Sequence, residues 1–180
     1  FLVRDNLPMN YDIKKIKLVA TDADGVLTDG KIFYGENGRQ CKNFSVKDGM
    51  AFKMLKAAGL KSIIISGKKT GILEKRVSDI DVDFVFENTE DKMKVLKHLC
   101  KRYKINMEEV CYMGDDILDI PVLESVGFSV APRDACEDVK NIVKYVVSKN
   151  SGKDAFRECV EIIIKSQGKW KKILEDCLQF

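Results

Sequence analysis

A chain of 180 residues with 45% apolar side chains can build one well-packed domain but not two of ordinary size. Its 31 basic and 28 acidic side chains leave a formal charge of +3, too small and too dispersed to mark a nucleic-acid partner, although a small anionic ligand remains compatible. No apolar stretch approaches the roughly 20 residues that span a bilayer, residues 1–10 lack the parts of a signal peptide, and six cysteines form no C-x-x-C pair, so a reduced, cytoplasmic protein without membrane contact is expected.

Residues 1–16 read as an N-terminal extension, 17–168 as the domain proper and 169–180 as a charged, amphipathic C-terminal tail. Short β-rich apolar runs at 17–21, 61–66, 82–86, 110–113, 128–131 and 145–147 alternate with segments of helical period, which is the pattern of an α/β fold with a central parallel sheet. Ala51, Met54, Leu55 and Ala58 share one helix face; Leu96, Leu99, Cys100 and Tyr103 share another, and Phe156, Val160, Ile163 and Ile164 a third. These stripes are core. One segment breaks the alternation: residues 31–34 and 39–46 flank Gly35-Glu36-Asn37-Gly38, a β-hairpin between the first strand and the first helix.

The chemistry gathers where the predicted strands end, which is where open parallel sheets bind ligands. The first strand delivers Asp22 and Asp24, two carboxylates that repel unless a cation or a proton lies between them; magnesium, which favours one or two carboxylates together with water and phosphate oxygens, is the natural mediator. Taken alone, both could be turn or capping residues. The second strand ends at Ser66-Gly67-Lys68, a hydroxyl and backbone N–H groups at an expected helix start, which suits phosphate. Lys92 opens the helix after the third strand, an unfavourable place for a cation on its own helix and therefore a sign of an anionic partner. The fourth strand ends in Gly114-Asp115-Asp116-Ile117-Leu118-Asp119, a second source of acid for the same cation.

Asp22-x-Asp24-Gly25-Val26, Ser66, Lys92 and Gly114-Asp115-Asp116-x-x-Asp119 together resemble the haloacid dehalogenase superfamily of phosphatases. The likeness is closest to its capless subgroup, which holds 3-deoxy-D-manno-octulosonate 8-phosphate phosphatases and nonulosonate 9-phosphate phosphatases. It implies a Rossmann-like three-layer fold with a hairpin flap and no cap domain. It also implies that Asp22 is the nucleophile that becomes an aspartyl-phosphate and that Asp24 is the acid and then the base, with a carboxyl raised by burial beside another carboxylate. Ser66, Gly67 and Lys92 would hold phosphate; Asp22, Asp115 and the backbone carbonyl of Asp24 would hold Mg2+; Asp116, aiding Lys92 or the metal, and Asp119 would support them. Lys47, Lys68 and Arg76 would face a phosphorylated sugar acid, with Lys68 standing where the subgroup carries arginine. The hairpins, with apolar Ile32, Phe33 and Phe44, would assemble a homotetramer, although the same side chains could pack within one chain. Ser151 and Asp154 depart from the glycines of the subgroup's tail motif.

The substrate expected first is octulosonate 8-phosphate, with a nonulosonate 9-phosphate as the alternative. A reading of another class is a catalytically weak oligomerisation module of a sugar-nucleotide enzyme, against which all of Asp22, Asp24, Ser66, Lys92 and Asp115 are present. A signalling receiver domain would lack Asp24 and the hairpin. No nucleotide-binding glycine loop or zinc ligand set occurs, and the single His98 reads as a surface residue.

Overall fold

Leu18-Val19-Ala20-Thr21 shows no apolar–polar alternation because both of its faces are covered: every residue of this first strand, β1 (Leu18–Thr21), is buried. The computed structural model describes residues 12–178, with side chains as far as residue 176; residues 1–11 of the extension and 179–180 of the tail lie outside it. After β1 come β2 (Phe33–Tyr34), β3 (Gln40–Cys41), α1 (Val46–Ala57), β4 (Lys61–Ile65), α2 (Gly71–Ser78), β5 (Phe84–Phe86) and α3 (Lys92–Tyr103). Then follow β6 (Val110–Met113), α4 (Ile120–Leu123), β7 (Phe128–Ala131), α5 (Glu137–Ile142), β8 (Tyr145–Val146), α6 (Ala155–Ser166) and α7 (Trp170–Leu178).

Six strands form a parallel sheet in the order β5-β4-β1-β6-β7-β8, so β1 lies where the chain reverses its direction of travel across the sheet. A crevice opens at such a point beyond the carboxyl ends of the strands. One face of the sheet packs Val19, Ile64, Cys111 and Met113 against α1 and α6; the other packs Leu18, Ala20, Ile63 and Tyr112 against α3 and α4. The three layers and the parallel sheet are those expected from the alternation of runs.

Residues 12–16 join this core through Ile13 and Ile16, and α7 docks through buried Ile173. Lys165 adds a cation over the Trp170 ring at 4.5 Å.

The hairpin is shorter than its predicted arms. Its second arm pairs only through Gln40–Cys41 with Phe33–Tyr34, then Phe44 bridges to Thr28 and Ser45 caps α1 by accepting from Lys47 N and Asp48 N. Ser45 in an extended conformation is a better helix cap than strand residue, so the expected strand out to residue 46 ends early.

Helix α6 has no side-chain cap of its own, since Asp154 adopts a left-handed φ of 73° and turns its carboxylate to Ser45 Oγ (2.6 Å) and Lys47 Nζ (2.9 Å). Asp48 caps it from α1 instead, accepting from Arg157 N at 2.8 Å while its other oxygen is buried without a partner. Burial pushes this carboxyl up to about 6. A folded value above the unfolded one means that the proton is bound more tightly in the native state, so stability is lost as pH rises through about 6. Asp48→Asn carries no charge at any pH. Its unfolding free energy relative to the parent is therefore expected to improve by roughly 2–3 kcal/mol between pH 4 and pH 8. Thermal unfolding at the two pH values measures this; a difference that does not change with pH would place the cost of Asp48 elsewhere.

Candidate active site

The crevice above β1 receives one contribution from each neighbouring strand. Asp22 leaves β1 with its N–H bonded to Met113 O (2.9 Å), and Ser66 leaves β4 bonded to Phe86 O (2.8 Å), so the sheet ladder itself holds both backbones. Lys92 is the first residue of α3, beyond β5, and Asp115 follows β6. Asp22, Asp24, Ser66, Gly67, Lys68, Lys92, Asp115, Asp116 and Asp119 all line one cavity of about 280 Å³. Lys47 and Arg76 do not.

At the centre is a buried charge cluster. The Lys92 ammonium, 8% exposed, lies 3.0 Å from Asp22 Oδ1 and 2.7 Å from Asp119 Oδ1. Within the chain these two carboxylates offset the cost of a cation at a helix N-terminus. Burial works to lower the Lys92 ammonium, but Asp22 and Asp119 outweigh it and the net displacement is upward. Asp119 is saturated: Oδ1 also accepts from Tyr112 OH (2.6 Å), and Oδ2 from Asp115 N (3.1 Å) and Asp116 N (3.4 Å). Its place beside the Lys92 ammonium is fixed by these bonds.

The contact to Lys92 expected of Asp116 is made by Asp119. A 3-10 turn, Ile117–Asp119, starts at this point; Asp116 is exposed and caps Ile117 N at 2.8 Å, while Asp119, three residues on, is carried underneath.

One oxygen each of Asp22, Asp115 and Asp119 falls within a mutual 4.8 Å, and two of the three carboxylates pair with the Lys92 ammonium. Asp115 Oδ1 is buried with no donor. Burial, then the charges of Asp22, Asp119 and Asp116, push Asp115 up to about 8, and burial followed by Asp119 pushes Asp22 up to about 6 against the pull of Lys92. Excess negative charge and an orphaned oxygen are what a divalent cation relieves, so the donor set fits magnesium: Asp22 and Asp115 could hold it, with Asp119 already committed.

One local expectation changes. Ser66 does not start a helix: α2 begins at Gly71 under a Thr70 cap, and the Ser66 hydroxyl bonds Lys68 O (3.0 Å) within the loop before it. Thr70 supplies the β-branched hydroxyl and extended backbone of an N-cap, which Ser66, still paired to β5, cannot. Asp24 meets a cation from the hairpin. Both of its oxygens face the Lys42 ammonium at 2.7 and 2.8 Å, with Thr28 Oγ1 at 3.5 Å.

Arg76 donates to Ser45 O (2.8 Å) and lies 5.8 Å from the centre of the Phe44 ring, which ties α2 to the base of the hairpin. Lys47 pairs with Asp154. Lys68 stays at the site and is shared with an adjoining cavity of about 640 Å³ that also takes in Lys42, Lys69 and Tyr34. His98 is exposed.

Lys42 and Tyr112 join the site from outside the sequence motifs. A tyrosine inside an otherwise apolar, fully buried strand needs a partner for its hydroxyl, and that signal was available at Tyr112. Lys42 carried no comparable mark, since a lysine in a hairpin arm is ordinarily solvated.

Residues 82–158 match a family described as haloacid dehalogenase-like hydrolase. The chain is 39% identical over 161 residues to the 3-deoxy-D-manno-octulosonate 8-phosphate phosphatase of Haemophilus influenzae, covering 89% of each protein. Among solved structures it superposes with a TM-score of 0.87 on the 3-deoxy-D-manno-octulosonate 8-phosphate phosphatase of Moraxella catarrhalis in complex with magnesium, phosphate and KDO. That pair is 31% identical, with 91% of this chain and 94% of the other aligned. A probable phosphatase of the YrbI family from Pseudomonas syringae gives a TM-score of 0.88 at 37% identity, covering 93% and 96% of the two chains.

Proposed function

The chain belongs to the haloacid dehalogenase-like hydrolases, in the branch of the 3-deoxy-D-manno-octulosonate 8-phosphate phosphatases, and from this we infer that it is a magnesium-dependent phosphatase whose substrate is 3-deoxy-D-manno-octulosonate 8-phosphate. The observation that carries this reading is the crowding of Asp22, Asp115 and Asp119 within 4.8 Å around a buried lysine, with one Asp115 oxygen left without a donor.

In the reaction we assign, an oxygen of Asp22 attacks phosphorus and the bond to the sugar oxygen breaks; Asp24 gives that oxygen a proton. Asp24 then takes a proton from the water that attacks the aspartyl-phosphate, freeing inorganic phosphate and restoring Asp22. Lys92, Ser66 Oγ and the Gly67 N–H hold the phosphoryl oxygens. Asp22, Asp115 and the backbone carbonyl of Asp24 would hold magnesium, which would supply positive charge against the phosphoryl group. Asp119 keeps the Lys92 ammonium aimed at that group. The sugar acid lies in the adjoining cavity, where Lys68 offers its carboxylate a point charge and not the bidentate grip of an arginine.

We assign the protein to the cytoplasm and, through the hairpin, to a homotetramer. Ile32, Phe33 and Tyr34 are 38%, 53% and 68% exposed on the flap, an apolar edge that a second copy would cover. Among the described residues no helix is long and apolar enough to cross a membrane.

Phosphate release should be measured in magnesium from octulosonate 8-phosphate, a nonulosonate 9-phosphate and ordinary hexose phosphates, with light scattering on the same preparation reporting the assembly. The expected result is a kcat/KM for octulosonate 8-phosphate at least about tenfold above the others, lost in a chelator and restored by magnesium. Preference for the nonulosonate would change the substrate; release from none of them would end the enzymatic reading.

A further inference from the structure

We propose that Lys42 is a positioning residue for proton transfer: from the hairpin, it fixes the orientation of the Asp24 carboxylate. The proposal rests on the reading of Asp24 as acid and base given above, and goes beyond it by assigning the hairpin a part in the chemical step.

The contact is of an unusual kind for a lysine. Its ammonium sits 2.7 Å from one oxygen of Asp24 and 2.8 Å from the other, so a single nitrogen spans both oxygens. The Lys42 side chain is 3% exposed while that of Asp24 is 36% exposed. An ordinary surface ion pair leaves both groups free to turn in water and sets no geometry. Here the cation is withdrawn from water, and separating the pair would leave it without its partner. Among the described residues the other hydrogen bond to the Asp24 carboxylate, from Thr28 Oγ1 at 3.5 Å, is too long to hold it by itself.

Lys42 is also poorly placed to serve the phosphoryl group. It lines the adjoining cavity and not the one that contains Asp22, Ser66 and Lys92. Among the residues assigned to the chemical step, it touches Asp24. An acid delivers its proton only when the donating oxygen lies in line with the ester oxygen, and misplacing such a group is felt in the transition state and not in binding. That requirement is heavy for an alkyl ester, whose alkoxide is a poor leaving group. It vanishes for a phenol that departs readily as its anion.

The test is the dependence of kcat/KM on leaving-group acidity, using phenyl phosphates graded from phenyl to 4-nitrophenyl together with 2-hydroxyethyl phosphate, none of which carries the sugar acid. For Lys42→Met we expect the alkyl ester to lose about 30-fold more than 4-nitrophenyl phosphate, which steepens the plot. The 4-nitrophenyl ester doubles as the check that the site is folded. Lys42→Arg, which can still span both oxygens, should return the slope of the parent. Asp24→Asn is the control and should steepen the plot further. If Asp24→Asn steepens it while Lys42→Met shifts all esters equally or not at all, the assignment of Lys42 is overturned and the role of Asp24 stands. If the plot for Asp24→Asn runs parallel to that of the parent, the reading of Asp24 fails and the proposal with it.

Discussion

Asp22→Asn is expected to abolish turnover, lowering kcat on octulosonate 8-phosphate by on the order of 10⁴-fold, the scale on which removal of a covalent nucleophile is felt. The amide is nearly isosteric but cannot form an acyl phosphate, and it weakens the hold on a divalent cation. Folding should survive. The parent carries its charge into a buried cluster where desolvation, and then Asp119, push the Asp22 carboxyl up to about 6 against the pull of Lys92. A folded value above the unfolded one means that the ionised form works against the native state once pH exceeds about 6. In chelator at pH 7.5 the variant should thus melt no lower than the parent. Phosphate release and thermal unfolding, measured together, separate the two effects. Turnover within tenfold of the parent would remove Asp22 from the covalent step.

The parts of this molecule that could be read in advance are those where the chain speaks locally. Continuous apolar runs such as 110–113 become buried parallel strands because nothing else hides both faces of a strand, and the ends of parallel strands must meet at one edge of the sheet. Asp22, Ser66, Lys92 and Asp115 come to one cavity for that reason. What escaped depends on contacts across the fold. Whether Asp116 or Asp119 points inward is decided by a three-residue turn and by the ammonium and phenol waiting beneath it. The partner of Asp24 is eighteen residues away on a hairpin whose position no local pattern encodes. Arg76, plausible as a substrate ligand by charge alone, is captured by a backbone carbonyl at the hairpin exit. Tail position 154 shows the opposite case: an aspartate stands where relatives' glycines are expected, and it keeps a left-handed backbone while adding bonds to Ser45 and Lys47.

Gly25→Ala should be nearly as damaging as loss of a ligand, although the residue has no side chain to contribute. Gly25 has φ +90°, and a Cβ built there would lie 2.0 Å from Asp115 Oδ2 and 2.5 Å from its Cγ. The backbone of Asp115 cannot yield easily. Its N–H is held by Asp119 Oδ2 (3.1 Å) and its carbonyl accepts from Cys136 N (3.0 Å), so the carboxylate must rotate away from the cluster. Magnesium would lose an aligned ligand, and its affinity is expected to fall about 10- to 100-fold, with a matching loss in kcat/KM at limiting metal. Backbone strain adds about 1–2 kcal/mol of destabilisation on its own. Gly38 provides the comparison that isolates the contact. It has φ +70° in the hairpin turn, yet nothing lies within 4 Å of a Cβ built there. Gly38→Ala should carry the strain without the collision, lowering the melting temperature while magnesium titrates as in the parent. Calorimetric titration of both variants decides the matter: equal magnesium affinities would show that the closeness of Gly25 to Asp115 has no bearing on the metal, and that only its backbone conformation matters.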